Sequence, residues 1–559
     1  MASSGNIATL NPLQKMSVGT FSNGNLKYAM SSSDDGYIAT MSMTKKSYCE
    51  VRVDAQSSYG GSIGIRSGQC NSYYTDSLTF QVNYSSGDLY LYKNTSGTDV
   101  GDIGGTVSNG DIVMMAYDPA TYKWWVGVNG TWRSSGNPAT GANPMYTGSA
   151  TMFEDTDIFW GGYTSSANGL TVTFNFGQDS TFGGQETAGG NADENGFGDF
   201  KYSVPTGFLA TCSGNIAISD DIDPAGDDGA DDNPTKNFNT VIFDGNGGSN
   251  AVTGLGFKPD LIWGFTRSGS QSKRVVDSTR GGSERLYSDL TSAAGTGIAT
   301  ISEFGTDGFT ATGGAFNNDS GKTCGAWCWR ANGGVTSSNS EGSITSTVQA
   351  NTKAGFSIAT YTSPGSGTNH TVGHGLSGVD FVITKNRDAT FNWYCFHKSS
   401  PDKTYRLNSD ATGFSYNNWS MGATTWGSES GYTHDGTSKF VAYCWQNVEG
   451  FQKFGTYEGN ANADGTFVYT GFRPRMLFTK RTESAGGWRV RDTARDTYNP
   501  STKISWWDSS SIEYSNSAYS IDILSNGFKI RTSSNDFNAS EKWIYGAWGD
   551  VPFKYNNTF

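Results

Sequence analysis

One pattern occurs three times in the last 320 residues, and it restricts the fold more than any other feature of the chain. Each occurrence starts with a glycine turn and an apolar run: Gly256-Phe257-Lys258-Pro259-Asp260-Leu261-Ile262-Trp263, Gly375-Leu376-Ser377-Gly378-Val379-Asp380-Phe381-Val382, and Gly471-Phe472-Arg473-Pro474-Arg475-Met476-Leu477-Phe478. Each ends on an aromatic run: Ala326-Trp327-Cys328-Trp329, Ala442-Tyr443-Cys444-Trp445 and Ala547-Trp548. Starting glycine and closing alanine lie 70, 67 and 76 residues apart. Such regular spacing predicts one supersecondary unit used repeatedly. A repeated β unit enlarges a surface, whereas an enzyme concentrates its chemistry in one asymmetric pocket. Binding or scaffolding is therefore expected before catalysis.

Composition agrees with strands. Glycine is 74 of 559 residues, aromatics are 14% and charged residues only 16%. Glycine costs about 1 kcal/mol per helical position relative to alanine, and Ser, Thr and Asn compete with the helix backbone. Short strands with large rings between them suit the mixture. The net charge of −13 argues against nucleic acid, which needs clustered Lys and Arg. No run of 18 apolar residues predicts a membrane span. The start, Met1-Ala2-Ser3-Ser4-Gly5-Asn6, lacks a secretory signal, so synthesis in a cytoplasm is expected. The seven cysteines (Cys49, Cys70, Cys212, Cys324, Cys328, Cys395, Cys444) have no Cys-x-x-Cys spacing and are read as buried free thiols.

The fold class expected is all-β: an antiparallel sandwich followed by three related β-rich modules. Residues 1–20 lack periodicity and read as an N-terminal arm. In 21–212 the alternation is strict: Leu78, Phe80, Val82 and Tyr84 interleave with polar residues, as do Val172, Phe174 and Phe176. Asn129-Gly130, between Trp124-Trp125-Val126-Gly127-Val128 and Thr131-Trp132, predicts a two-residue hairpin turn. The motif order resembles a SPRY domain of the concanavalin-like group: Tyr48-Cys49-Glu50-Val51-Arg52-Val53, Gly61-Ser62-Ile63-Gly64-Ile65, Gly110-Asp111-Ile112-Val113-Met114-Met115-Ala116-Tyr117-Asp118, the hairpin, and Leu170-Thr171-Val172-Thr173-Phe174-Asn175-Phe176-Gly177. That resemblance implies loops that bind proteins, peptides or glycans, and no catalytic residues.

Residues 213–238 change character: Asp220, Asp221, Asp223, Asp227, Asp228, Asp231 and Asp232 sit among Gly, Ala and Pro, the composition of a solvated linker. Clustered carboxylates could hold calcium, but the twelve-residue loop pattern with its terminal Glu is missing. The modules are placed at 239–333, 355–449 and 450–559. The string Phe238-Asn239-Thr240-Val241-Ile242-Phe243-Asp244-Gly245-Asn246-Gly247, with Asp277-Ser278-Thr279-Arg280-Gly281, Gly308-Phe309 and Ala326-Trp327, resembles a domain of unknown function common in tailed-bacteriophage virion proteins. The middle copy shares Val372-Gly373-His374-Gly375-Leu376 and Thr384-Lys385-Asn386-Arg387, and the third Arg491-Asp492-Thr493-Ala494-Arg495.

Candidate binding residues are aromatics near turns that could stack on sugar rings, Tyr73, Tyr74, Trp132, Trp419 and Trp426, together with Arg387 as a fork for carboxylates or acidic sugars. Against them stands packing: 76 aromatics must mostly fill cores, and the recurring arginines have nearby aspartates, Asp277 beside Arg274 and Arg280, Asp492 between Arg491 and Arg495. All four histidines, His370, His374, His397 and His434, fall in the middle module; His370 and His374 could share a metal, yet no Glu lies between them as a zinc hydrolase requires. No Gly-x-Ser-x-Gly elbow in strand-to-helix context or His-Glu-x-x-His helix occurs, and Glu154, Asp155 and Asp157 carry no glycosidase signature. The expectation is a non-enzymatic virion protein, a fibre, spike or surface decoration contributing to host attachment, without cofactor or metal. Its expected partners are other virion proteins, a host glycan or protein receptor and further copies of itself. A capsule depolymerase and a purely architectural head or tail protein are the alternatives.

Overall fold

The computed structural model describes residues 5–14, 19–30, 35–56, 61–68, 76–82, 88–93, 96–153, 157–164, 169–223, 233–297, 300–365, 369–415, 418–428, 432 and 434–555. It is all-β, with multiple antiparallel sheets. The chain forms two units: 1–217 with 464–471 and 553–559, and 218–463 with 472–552.

The first unit is a sandwich of a nine-stranded and a six-stranded sheet. Strict alternation sends one side of each strand inward, so Trp124 stacks on Phe80 of the other sheet (ring centroids 6.4 Å apart) and Phe174 meets Tyr37 edge-on (5.6 Å). The hairpin closes between Val128 and Thr131, with Asn129 and Gly130 both at positive φ (49° and 81°). The outer face of the larger sheet is covered by Phe200, Phe208 and Ala210 against Tyr48, Met114 and Trp125.

Two assignments made from sequence differ here. The stretch read as an arm is built into the sandwich over its described part: Ala8 and Leu10 are fully buried, Ile7 bridges Cys212 and Leu10 bridges Ala39. Single bridges leave no periodic trace, which is why the segment looked unstructured. Two pieces of the segment read as the third module, 464–471 and 553–559, belong to the first unit. Tyr469 packs edge-on against Phe159 at 5.6 Å.

The second unit holds three larger sheets of five, eight and six strands. In each, the strand that comes last in the chain lies between a lead strand and the strand after the glycine turn. The orders are Phe238–Asp244, Thr323–Trp329, Leu261–Thr266, Arg274–Asp277, Leu286–Tyr287; Phe356–Thr362, Lys439–Trp445, Phe381–Asn386, Tyr394–His397, Lys403–Arg406; and Gln452–Glu458, Lys542–Pro552, Phe472–Arg481, Arg489–Asp492, Lys503–Trp506. Registers also match: Leu261 opposes Trp329, Phe381 opposes Trp445 and Met476 opposes Trp548.

These closing tryptophans meet. Trp329, Trp445 and Trp548 lie 5.9, 5.4 and 6.0 Å apart pairwise, all edge-to-face, the geometry aromatic quadrupoles favour. Around them one apolar cluster draws residues from all three sheets, including Trp263, Phe381 and Phe478. Two positions along, volume is exchanged between strands. Trp327 faces Thr240 and Tyr443 faces Ile358, whereas the third sheet sets Gly546 opposite Phe454. A Cβ on Gly546 would lie 2.7 Å from Phe454 Cε1, so the glycine makes room for the ring.

Candidate functional site

The second unit's polar side chains converge on the seams between its sheets. The last residue of the fourth strand in each of these orders is Asp277, His397 or Asp492, each opposite the strand that follows the glycine turn. Asp277 Oδ2 accepts from the Tyr443 hydroxyl (2.8 Å), joining the first sheet to the second. Asp492 Oδ2 accepts from Trp327 Nε1 (2.9 Å), joining the third to the first. His397 Nε2 donates to the Tyr545 carbonyl (3.1 Å), joining the second to the third. The contacts therefore run in a closed cycle.

Both carboxylates carry a buried arginine three residues on. Arg280 Nε and Arg495 Nε each lie 2.5 Å from their aspartate, and all four side chains are fully buried. Burial alone would favour the neutral guanidinium, but Asp277 beside Arg280 raises its pKa instead. Arg495 also lies over the Phe265 and Trp327 rings, at 5.2 and 5.5 Å. Such pairs resist removal of one partner far more than they add by being present.

Further out the same cycle recurs. Trp393 Nε1 donates to Tyr287 O (2.8 Å), Trp488 Nε1 to Arg406 O (2.9 Å) and Ser288 Oγ to Trp507 O (2.7 Å). Arg387 forks onto Glu284 (2.7 and 2.6 Å), and Arg267 onto Glu513 (3.0 and 2.9 Å). Burial opposes ionisation of Glu284, yet Arg387 and Arg280 hold its carboxyl below the ordinary range. The matching position in the third sheet is Thr482, whose hydroxyl bonds the Lys542 carbonyl. Lys480 instead reaches the second sheet's loop, donating to Asp410 O and Ala411 O (3.0 and 2.8 Å), and also bonds Gly486 O in the turn after its own strand (2.6 Å); burial lowers its pKa to about 8.

The candidate binding residues are scattered. Tyr73 and Tyr74 lie outside the described residues, as does Cys70. Trp132 is half-buried and meets Tyr48 edge-on at 6.4 Å. Arg387 has its fork filled by Glu284. Trp419 is half-buried against Phe396 (5.7 Å), and Trp426 is 1% exposed in the second sheet's own core, where it presents no ring face to solvent. Sequence proximity suggested that the arginines pair with nearby aspartates. Arg280 and Arg495 do, but Arg274 bonds the Ser272 and Gly314 carbonyls, and Arg491 those of Ser501 and Tyr519. The forks onto Glu284 and Glu513 span 103 and 246 residues, a separation no local pattern announces.

His374 is buried, its Nδ1 accepting from Leu376 N (3.1 Å), which is a turn-forming role. Burial lowers His374 and His397 to about 4. His370 meets His434 edge-on at 4.7 Å. Among the described residues no group of three or more His, Cys, Asp or Glu is arranged to hold a metal ion. Most of the acidic linker's carboxylates, Asp227, Asp228, Asp231 and Asp232, fall outside the described residues, as do Glu154 and Asp155. In the first unit a cleft of about 90 Å³ opens between the turn of Pro119 and Tyr122 and the loop of Ser149, Met152 and Phe153, with Tyr117 and Ile158 at its base. Tyr117 is 1% exposed, and its hydroxyl has no hydrogen-bond partner among the described residues.

Comparison with known proteins places these features. No curated protein matches the chain. Among solved structures it is similar to the TRIM65 PSpry domain (16% identity over 30% of this chain and 91% of that one, TM-score 0.22). It is also similar to stonustoxin (18% identity, 30% and 27%, TM-score 0.22) and to the SPRY domain of human HERC1 (15%, 28% and 91%, TM-score 0.20). A family model, that of a domain of unknown function designated DUF7483, matches residues 233–552. That span takes in all three larger sheets and more than half of the chain, which therefore belongs to the DUF7483 family.

Proposed function

We propose that this chain is a non-enzymatic structural protein of a tailed-bacteriophage particle, a fibre, spike or surface decoration that contributes to attachment to the host cell. Its second unit is read as three copies of one module, and the assembled protein as a homo-oligomer in contact with other virion proteins. One observation carries the reading. The charged and imidazole side chains most suited to chemistry, Asp277, Arg280, His397, Asp492 and Arg495, are buried and bonded to one another or across the seams between sheets. Groups so engaged hold a scaffold, and the function falls to the surface that the scaffold displays. The likeness of the sequence to phage virion domains supplies the setting.

Two measurements test this together. Labelled full-length protein should adsorb to bacterial cells, and imaging of intact particles should place the chain on the outside. Release of reducing ends from capsular glycan would convert the reading to a depolymerase. A firm position within the head or tail lattice, with no adsorption, would make the protein architectural.

A further inference from the structure

Large apolar side chains at a surface are uninformative singly and informative when they gather. Among the described residues five stand out: Ile512 (46% exposed) and Tyr514 (43%) lie at the outer edge of the third sheet, Leu290 (40%) in a loop tied to it, Tyr498 (83%) in the connection leading to Lys503–Trp506, and Val335 (65%) elsewhere. Tyr514 lies on that sheet's edge strand, Tyr514–Ser515, paired with Lys503–Trp506. Leu290 follows Ser288, which bonds Trp507, in a loop flanked by Lys273, which bonds the Ser509 carbonyl.

The rings form a stepped row. Trp506 and Tyr514 are 6.5 Å apart at 40°, and Tyr514 and Tyr519 5.9 Å apart at 48°. Tyr519 is backed by Phe537 (4.5 Å), which lies under Arg489 and Arg491 (4.5 and 5.2 Å). The row therefore rests on a packed base. Small polar groups surround it: Asn516 donates to the Tyr514 hydroxyl (3.0 Å), Thr502 pairs with Ser515 (3.1 Å) and Ser509 with Ser511 (2.7 Å). Charges nearby are engaged. Glu513 serves Arg267 and Arg495, Asp496 accepts from the Thr502 and Lys503 amides, and Lys503 Nζ donates to Arg495 O.

The second sheet provides the contrast. Phe414 holds the same register opposite Thr404 that Tyr514 holds opposite Ile504. It is covered by Arg406 (5.3 Å) and Tyr432 (5.8 Å, stacked). In the third sheet Trp506 replaces that arginine, and Tyr514 is left open.

We infer that Trp506, Tyr514 and Tyr519 form a binding platform for a neutral glycan. Sugar rings offer apolar faces to aromatic side chains and hydroxyls to Ser, Thr and Asn, and the charges named beside this row are already engaged by carboxylates, backbone amides or carbonyls, which favours a neutral ligand over an acidic one. The inference rests on the attachment reading above and names where and what it binds.

The test uses the full chain with cellohexaose, maltohexaose and mannohexaose as neutral probes and polygalacturonate as the acidic one, read by tryptophan fluorescence, alongside adsorption to bacterial cells treated with periodate or with protease. Expected are binding of at least one neutral hexaose, about tenfold weaker in Tyr514→Ala and in Trp506→Ala, near-full affinity in Tyr514→Phe, and adsorption lost after periodate but kept after protease. Melting temperatures within a few degrees of the parent show that the variants fold. Failure of every neutral hexaose to bind, preference for polygalacturonate, protease-sensitive adsorption, or parental affinity in both alanine variants overturns the platform. If adsorption persists in those variants, the platform falls and the attachment reading stands; if the parent protein adsorbs to no cell, the attachment reading itself falls.

Discussion

At the scale of single residues, stability in the second unit concentrates on a few positions. Trp548 is fully buried and touches both other closing tryptophans. Trp548→Ala should cost about 3–5 kcal/mol, because the cavity would open where three sheets meet and none can collapse into it alone; urea denaturation measures it. Gly546→Ala should cost about 1–3 kcal/mol by the opposite route, forcing a methyl against Phe454 and Phe478. His374 and His397 give a pH signature. Both stay neutral in the fold down to about pH 4, whereas an unfolded imidazole protonates near pH 6.5. As pH falls below about 6.5 the unfolded chain gains protons first, so stability is present above that value and drains away toward pH 4. The loss is on the order of 3 kcal/mol per imidazole, and denaturation midpoints measured from pH 7 to 4 should show it.

At the scale of elements, the seams decide which contacts matter. Asp492→Ala would take the nearest carboxylate from the buried Arg495 guanidinium, leaving it Glu513 at 3.4 Å, and the acceptor from the Trp327 indole, for about 3 kcal/mol. Arg387→Ala removes a partly exposed fork and should cost about 1 kcal/mol. Because each contact crosses between sheets, both losses should shift a single unfolding transition of the second unit, visible by calorimetry, and not split it. Much of this layer was legible in the sequence. The glycine turns and the endings Trp-Cys-Trp, Tyr-Cys-Trp and Ala547-Trp548 mark strands at the centres of the three sheets, and period-two alternation marks the sandwich. The candidate site was less so. Trp426 and Trp419 stand near turns just as Tyr514 does, and only tertiary packing separates a buried ring from an open one. Arg387 looked available because its partner, Glu284, lies 103 residues away in the chain.

At the scale of the whole molecule, the first unit draws in pieces that a linear division assigns elsewhere, 5–14 from the start and 464–471 from within the segment that supplies the third sheet. Chain order predicts neither, since what fixes them is burial of Ala8, Leu10 and Tyr469. Six cysteines are buried and free, so thermal midpoints should be the same with and without reductant.

The cycle of contacts among the three sheets closes the set. An open stack can gain or lose a member at either end. Here the second sheet bonds the first, the first bonds the third and the third bonds the second, so no terminus of the stack exists. A fourth member would have to break one seam and prise apart the central tryptophans.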